Sequence, residues 1–323
     1  MHRNNTEGLG STVGARPGRV KGFAGSPDGL SNTRGFLFAL GGTVVVSTNF
    51  VTAKYGLKGF NPETFSLVWT AAAAVYSLLI VLGSGQLRQL ALPGTCARDV
   101  ALLGVATGAG MILGWAGLAR LDPSFSSFLW RFHPLLVIVL SVLILRERLT
   151  AKELAPAAIM ILGGCISTIG RWNIVGTGVV LTLLSCCAVA VQVTIAKSRV
   201  QEMHPNVLVF YRVASGSVVI LLWCLLVGDI RFDVEARYWH VTLLGAFLGP
   251  CLSYLLTFRS YRHWDLSRSS MVTTAQPLFV IPFAYLAFGT LPTGRELIGG
   301  FIILAGAFWL AWKHVFRRWS VGF

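Results

Sequence analysis

Two arginines, Arg131 and Arg212, stand inside otherwise apolar runs of this 323-residue chain. A charged side chain at membrane depth is costly, so its presence there points to a task. A guanidinium offers a planar fork of donors that takes carboxylate or phosphate bidentately, which would suit a fixed positive charge on a water-filled path. The competing reading, at equal weight, is that each arginine snorkels to the nearer interface or bonds helix carbonyls. Arg131 enters its run from one side and Arg212 from the other, which suits a path with two ends. All 13 acidic residues fall in loops, tails or helix ends. Coupling to a cation through an embedded carboxylate is therefore disfavoured, leaving uniport, exchange, or coupling through His133. A lone histidine beside Pro134 is more often structural.

Amide, hydroxyl and aromatic groups inside the runs complete the candidate lining of a substrate path: Asn49, Trp69, Trp115, Gln192, Tyr211, Tyr254 and Gln276. Such groups fix a ligand's polar atoms and supply its walls, although the same residue types also join helices and mark interfaces. Glu147, between Arg146 and Arg148 at a helix end, offers a gating ion pair; a charged stop to the span is the simpler account. Neither HExxH nor GxSxG occurs, and no intramembrane grouping of histidine with acids is present, so an enzyme is not expected. The six cysteines show no CxxC or metal spacing, and neither metal nor cofactor is expected.

Positioning these residues falls to lipid-embedded helices. The chain is 54% hydrophobic and 12% charged, with a mean hydropathy of +0.67, where soluble domains carry about a quarter charged residues. A span needs about 20 apolar residues. Ten runs qualify, from Gly35–Tyr55 and Phe65–Leu82 through Val100–Leu118, Phe125–Leu145 and Leu154–Ile169. The second five are Val175–Ala196, Val207–Val227, Val241–Phe258, Ser269–Phe288 and Leu297–Val315. Lipid admits only helices or closed barrels, and runs without strict alternation exclude the barrel. The prediction is an all-α integral membrane protein of ten transmembrane helices. Residues 1–34, rich in Gly, Ser, Asn and Arg, are expected to be a disordered tail, and residues 316–323 a short second tail.

The net charge of +14 reads as topology, since the basic residues lie between apolar runs; no nucleic-acid partner is expected. With the N-terminus inside, the cytoplasmic segments carry 18 Lys and Arg against 7 outside, which predicts both termini in the cytoplasm of a multi-pass protein of the cell membrane. The expected partners are the bilayer and a small-molecule substrate, with a homodimer through peripheral helices left open.

A shift of 143 residues aligns the chain with itself. It pairs Ala53-Lys54 with Ala196-Lys197, Pro62 with Pro205, Asp122 with Asp265, Pro134-Leu135 with Pro277-Leu278, and Glu153-Leu154 with Glu296-Leu297. Apolar composition alone does not match Lys, Asp, Glu and Pro at one offset. Each unit holds an odd number of spans, so the second enters the membrane in the opposite sense, the mark of an inverted-repeat transporter. The units run over 35–169 and 175–315.

On these features the chain resembles the drug/metabolite transporter superfamily, and specifically its EamA type with two tandem five-helix domains. The resemblance rests on Lys54 and Lys197 closing the first span of each unit, on Pro62 and Pro205 opening the next, and on the fourth spans from Pro134 (PLLVIVLSVLILRERL) and Pro277 (PLFVIPFAYLAFGTL). Two departures stand out: Glu147 has Thr290 as its counterpart, and Arg212 has Trp69. The resemblance implies export or exchange of small metabolites through a cavity lined by the first four helices of each unit. An organellar nucleotide-sugar or phosphate-ester exchanger is the nearest rival, and a binding protein without transport a further one.

Overall fold

The computed structural model describes residues 29–91, 97–133, 136, 151–168, 172–199, 203–263 and 272–319. Every regular element among them is helical: α1 (Gly29–Gly56), α2 (Pro62–Gly83), α3 (Ala97–Arg120), α4 (Pro123–Leu129), α5 (Ala151–Thr168), α6 (Trp172–Arg199), α7 (Pro205–Val227), α8 (Ala236–Ala246), α9 (Tyr254–His263), α10 (Gln276–Phe288) and α11 (Gly294–Trp319). Six described helices are long and apolar enough to cross a membrane, α8 running on to Thr257 as one of them. Most of the fourth expected span lies outside the described residues, as do Glu147, Arg148 and residues 1–28. Two boundaries differ from expectation. α1 begins at Gly29 rather than Gly35, and α11 continues to Trp319, because polar residues at a span's edge extend a helix as readily as apolar ones.

The helix starts follow from cap chemistry. Asn61, Asp122 and His204 each precede a proline, and each side chain accepts a backbone N–H of the first turn: Thr64 N for Asn61, Ser124 N and Phe125 N for Asp122, Asn206 N for His204. Proline at the first helical position loses nothing, since its missing donor would have been unpaired there. α11 starts with the acidic half of a capping box, in which Thr293 donates both its backbone N–H and its hydroxyl to Glu296 Oε2 at 2.8 Å. Replacing Glu296 by alanine is expected to lower stability by about 1 kcal/mol, read as an earlier thermal midpoint in detergent; an unchanged midpoint would remove the box from the helix's support.

Polarity is distributed as lipid demands. Leu79, Leu221, Leu225, Leu226 and Ile298 face outward, whereas Thr43, Ser47, Thr70, Thr107, Ser185 and Gln192 are buried. Between lipid-facing helices the adhesion comes from close approach and interhelical hydrogen bonds rather than from hydrophobic burial. α3 illustrates it: a Cβ on Gly104 would stand 2.7 Å from Ser215 Cβ on α7, and one on Gly114 2.8 Å from Ser185 Oγ on α6. Ser185 Oγ also donates to Gly110 O at 2.7 Å. Gly104 and Gly108, and Gly110 and Gly114, therefore serve α3 as packing surfaces.

The helices exchange partners in an ordered way. α1 packs on α8 and α9 while α6 packs on α3; α2 lies on α7; α5 lies on α11. α4 packs on α10 and α6, and α10 on α1.

Candidate functional site

The eighth expected span is broken in its middle. Pro250 has no N–H to continue the ladder, and Phe247–Ser253 widens into a π-helical stretch between α8 and α9. Four candidate residues or their neighbours meet this break. From α7, Arg212 donates through Nη2 to the Pro250 carbonyl at 3.3 Å, and its guanidinium carbon stands 3.9 Å from the centre of the Tyr254 ring, a cation–π contact. Arg212 is 2% exposed, so it does not snorkel, and its Nε and Nη1 have no acceptor among the described residues. From α1, Asn49 lies against Gly249, where a Cβ would fall 1.9 Å from Oδ1; that oxygen has no donor among the described residues. From α2, Trp69 lies against Gly245, and the Cys251 thiol donates to Ala73 O at 3.2 Å while lying 3.1 Å from Ser77 Oγ.

A second constellation forms around Arg131, in the 3-10 turn Trp130–Phe132 that follows α4. Its Nη1 donates to Thr273 O at 2.6 Å and its Nη2 to Gln276 Oε1 at 2.5 Å. Gln276 Nε2 donates to Val46 O, and Ser47 Oγ to Gln276 O. Arg131 thus ties α10 to the end of α4, and Gln276 carries the tie on to α1. Arg131 Nε and His133 Nε2 are buried without partners among the described residues.

Aromatic rings fill the bundle near the end that bears Lys54. Trp69 stands 5.2 Å from Phe65 and 5.3 Å from Trp115, with Phe65 and Trp115 5.5 Å apart, ring centre to ring centre. Neither indole N–H has an acceptor among the described residues. Beyond them Phe60 meets Trp239 edge-on, Asn61 Nδ2 donates to Asp229 O at 2.8 Å, and Arg231 N donates to Thr64 Oγ1 at 3.0 Å, joining α2 to the α7–α8 connection. Lys54 itself donates to the carbonyls of Leu118, Ala119 and Leu121 at 2.8, 2.9 and 2.7 Å, closing the C-terminal end of α3. At the opposite end, Gln86 meets His204 at 3.1 Å and Asn206 Nδ2 donates to Ser84 Oγ at 3.4 Å.

The structure thus brings Asn49, Arg212 and Tyr254 to one break, with Trp69 beside it and Trp115 meeting Trp69 edge to face, and Arg131 to Gln276. Two candidates stand apart. Tyr211 donates to Leu90 O and holds the α2–α3 connection; Gln192 accepts from Thr107 Oγ1 at 3.3 Å across the α3–α6 seam. Cys251 and Ser77 escaped the sequence reading as members of the site. Pro250 was the visible signal, since a proline in mid-run marks where polar backbone atoms come free.

An inside-out helical bundle with a broken helix and buried, part-satisfied polar side chains defines a multi-pass membrane protein of transport type. The chain belongs to the EamA-like transporter family, which matches it twice, over residues 33–169 and 176–312, and so to the drug/metabolite transporters. It is similar to the uncharacterized transporter YyaM of Bacillus subtilis, with 22% identity covering 84% of this chain and 91% of that one. An uncharacterized transporter of Archaeoglobus fulgidus is 26% identical over 68% of this chain and 80% of its own length. A protein of known crystal structure shares the fold, with a TM-score of 0.62 and 17% identity over 88% of this chain and 98% of the other.

Proposed function

We propose that the chain is a secondary transporter, an exporter or exchanger of small amphipathic metabolites, working by alternating access across the cell membrane. Its ten spans form two inverted five-helix units, with both termini in the cytoplasm. The observation that carries the reading is the broken α8–α9 span with Arg212, Tyr254 and Asn49 converging on it: transporters of inverted-repeat design bind their solutes where a helix is interrupted near the midplane. The helix contacts support the repeat. Under the 143-residue shift α1 becomes α6 and α3 becomes the broken α8–α9 span, so the packing of α1 on that span and of α6 on α3 is one arrangement met twice. Asn49 against Gly249 and Gln192 against Thr107 are related by the same shift to within one residue.

With the termini inside, the ring cluster and the Asn61–Asp229 bond lie at the outer mouth, which is shut. Alternating access requires that mouth to open. Cysteines at Asn61 and Asp229 joined by a short thiol cross-linker are expected to stop counterflow of a labelled metabolite pool in proteoliposomes, with flux restored when the link is cleaved. Undiminished exchange in the linked protein would sink the rocking mechanism, and saturable binding without exchange in the unlinked wild type would make the chain a binding protein.

A further inference from the structure

We propose that Arg212 and the break at Pro250 form an anchoring site for the carboxylate of an apolar-substituted monocarboxylate solute; this rests on the transporter reading above and adds the substrate class.

Four observations lead to it. First, a guanidinium does not lose its proton in a protein, so the buried Arg212 is a permanent cation, and no carboxylate pairs with it among the described residues. An uncompensated buried charge is expensive; among the described residues only one of its three nitrogens has found an acceptor, the Pro250 carbonyl. Second, the Tyr254 ring covers one face of the guanidinium at 3.9 Å. A ligand must therefore approach in the plane, along an edge, which is how a planar carboxylate meets the fork. Third, Ser77, Ile80, Asn206, Val209, Cys251 and Leu255 line a seam between α2, α7, the Pro250 break and α9 that is closed in this conformation. It runs from Asn206, beside the His204 cap, to Cys251, the neighbour of Pro250, with Val209 one turn before Arg212. Ile80, Val209 and Leu255 give it apolar sides, against which the solute's hydrocarbon part would lie once alternating access parts the seam. Fourth, the position related to Arg212 by the 143-residue shift is Trp69, so the repeat does not supply a second cation. One guanidinium with a donor already committed balances a single negative charge; a phosphate ester or nucleotide needs more.

The purified full-length chain in detergent provides the test, using acetate, butyrate and benzoate against their uncharged amides, with inorganic phosphate as a further probe. At least one carboxylate is expected to raise the thermal midpoint saturably, with its amide and phosphate giving no shift. Arg212→Gln should abolish the shift. Should that variant fail to fold, Arg212→Lys keeps the charge but loses the fork and should weaken the apparent affinity by roughly tenfold. Amides matching their acids, phosphate outcompeting every carboxylate, or an Arg212→Lys protein binding as tightly as wild type would each overturn the proposal. Counterflow separates the two readings. Carboxylate binding without exchange leaves the anchoring site and removes transport, whereas exchange of amides as fast as acids leaves transport and removes the site.

Discussion

Lys54→Met is expected to destabilise the protein by about 2–4 kcal/mol, read in a denaturation titration of the detergent-solubilised chain. The last carbonyls of a helix have no partner within it and carry the negative end of its dipole. Lys54 answers two carbonyls of the last turn of α3, those of Leu118 and Ala119, and that of Leu121 just beyond it, with one ammonium. Hydrogen bonds to a charged group are worth about 1.5–3 kcal/mol each when counted singly, but the three share one donor group and one set of constraints, so their loss is less than their sum. Methionine keeps the stem and removes only the donors. A variant as stable as wild type would mean that water serves the end of α3 equally well, and that the lysine is there for another reason.

Trp69→Ala is expected to cost about 3–5 kcal/mol, the range for deleting a large buried ring. Trp69 is fully buried and touches both Phe65 and Trp115, so its removal leaves a cavity whose walls are themselves rigid rings. Trp69→Phe separates shape from hydrogen bonding. The indole N–H has no acceptor among the described residues, so the phenyl ring should hold stability to within about 1 kcal/mol. If the N–H serves the solute, the same variant loses exchange while remaining folded. A phenylalanine variant as unstable as the alanine one would show that the cluster depends on the indole's full breadth, and a fully active one would take the N–H out of the path.

Much of the architecture was legible in the chain because it depends on local rules. Asn61-Pro62, Asp122-Pro123 and His204-Pro205 announce helix starts by cap chemistry alone, and the glycines of α3 announce a close approach. The site was legible only in part. Arg212 stood out as a charge in an apolar run, whereas its partners Pro250 and Tyr254 are set by how α7 crosses the α8–α9 span, which no spacing reveals. Tyr211 shows the same limit from the other direction. It is adjacent to Arg212 in sequence, but successive helical residues point about 100° apart, and its hydroxyl reaches Leu90 instead. Lys54 was visible as a recurring residue, yet its partners are carbonyls, and every residue type carries one.

The seam between α3 and its neighbours sets what kind of motion the bundle can make. Gly114 and Gly117 each sit beneath a hydroxyl of α6, those of Ser185 and Thr182, where an added carbon would stand at 2.8 and 2.5 Å. Sliding α3 lengthwise by a residue would bring a side chain to each of those points, so the seam resists shear while leaving α3 free to roll about its contacts. Gly104 and Gly108 fix α7 in the same way on the far side. α3, α6 and α7 are therefore locked to one another as a block that carries Arg212; under the alternating-access mechanism proposed above, elements outside that block, α1 and the segment around Pro250 among them, would shift relative to it.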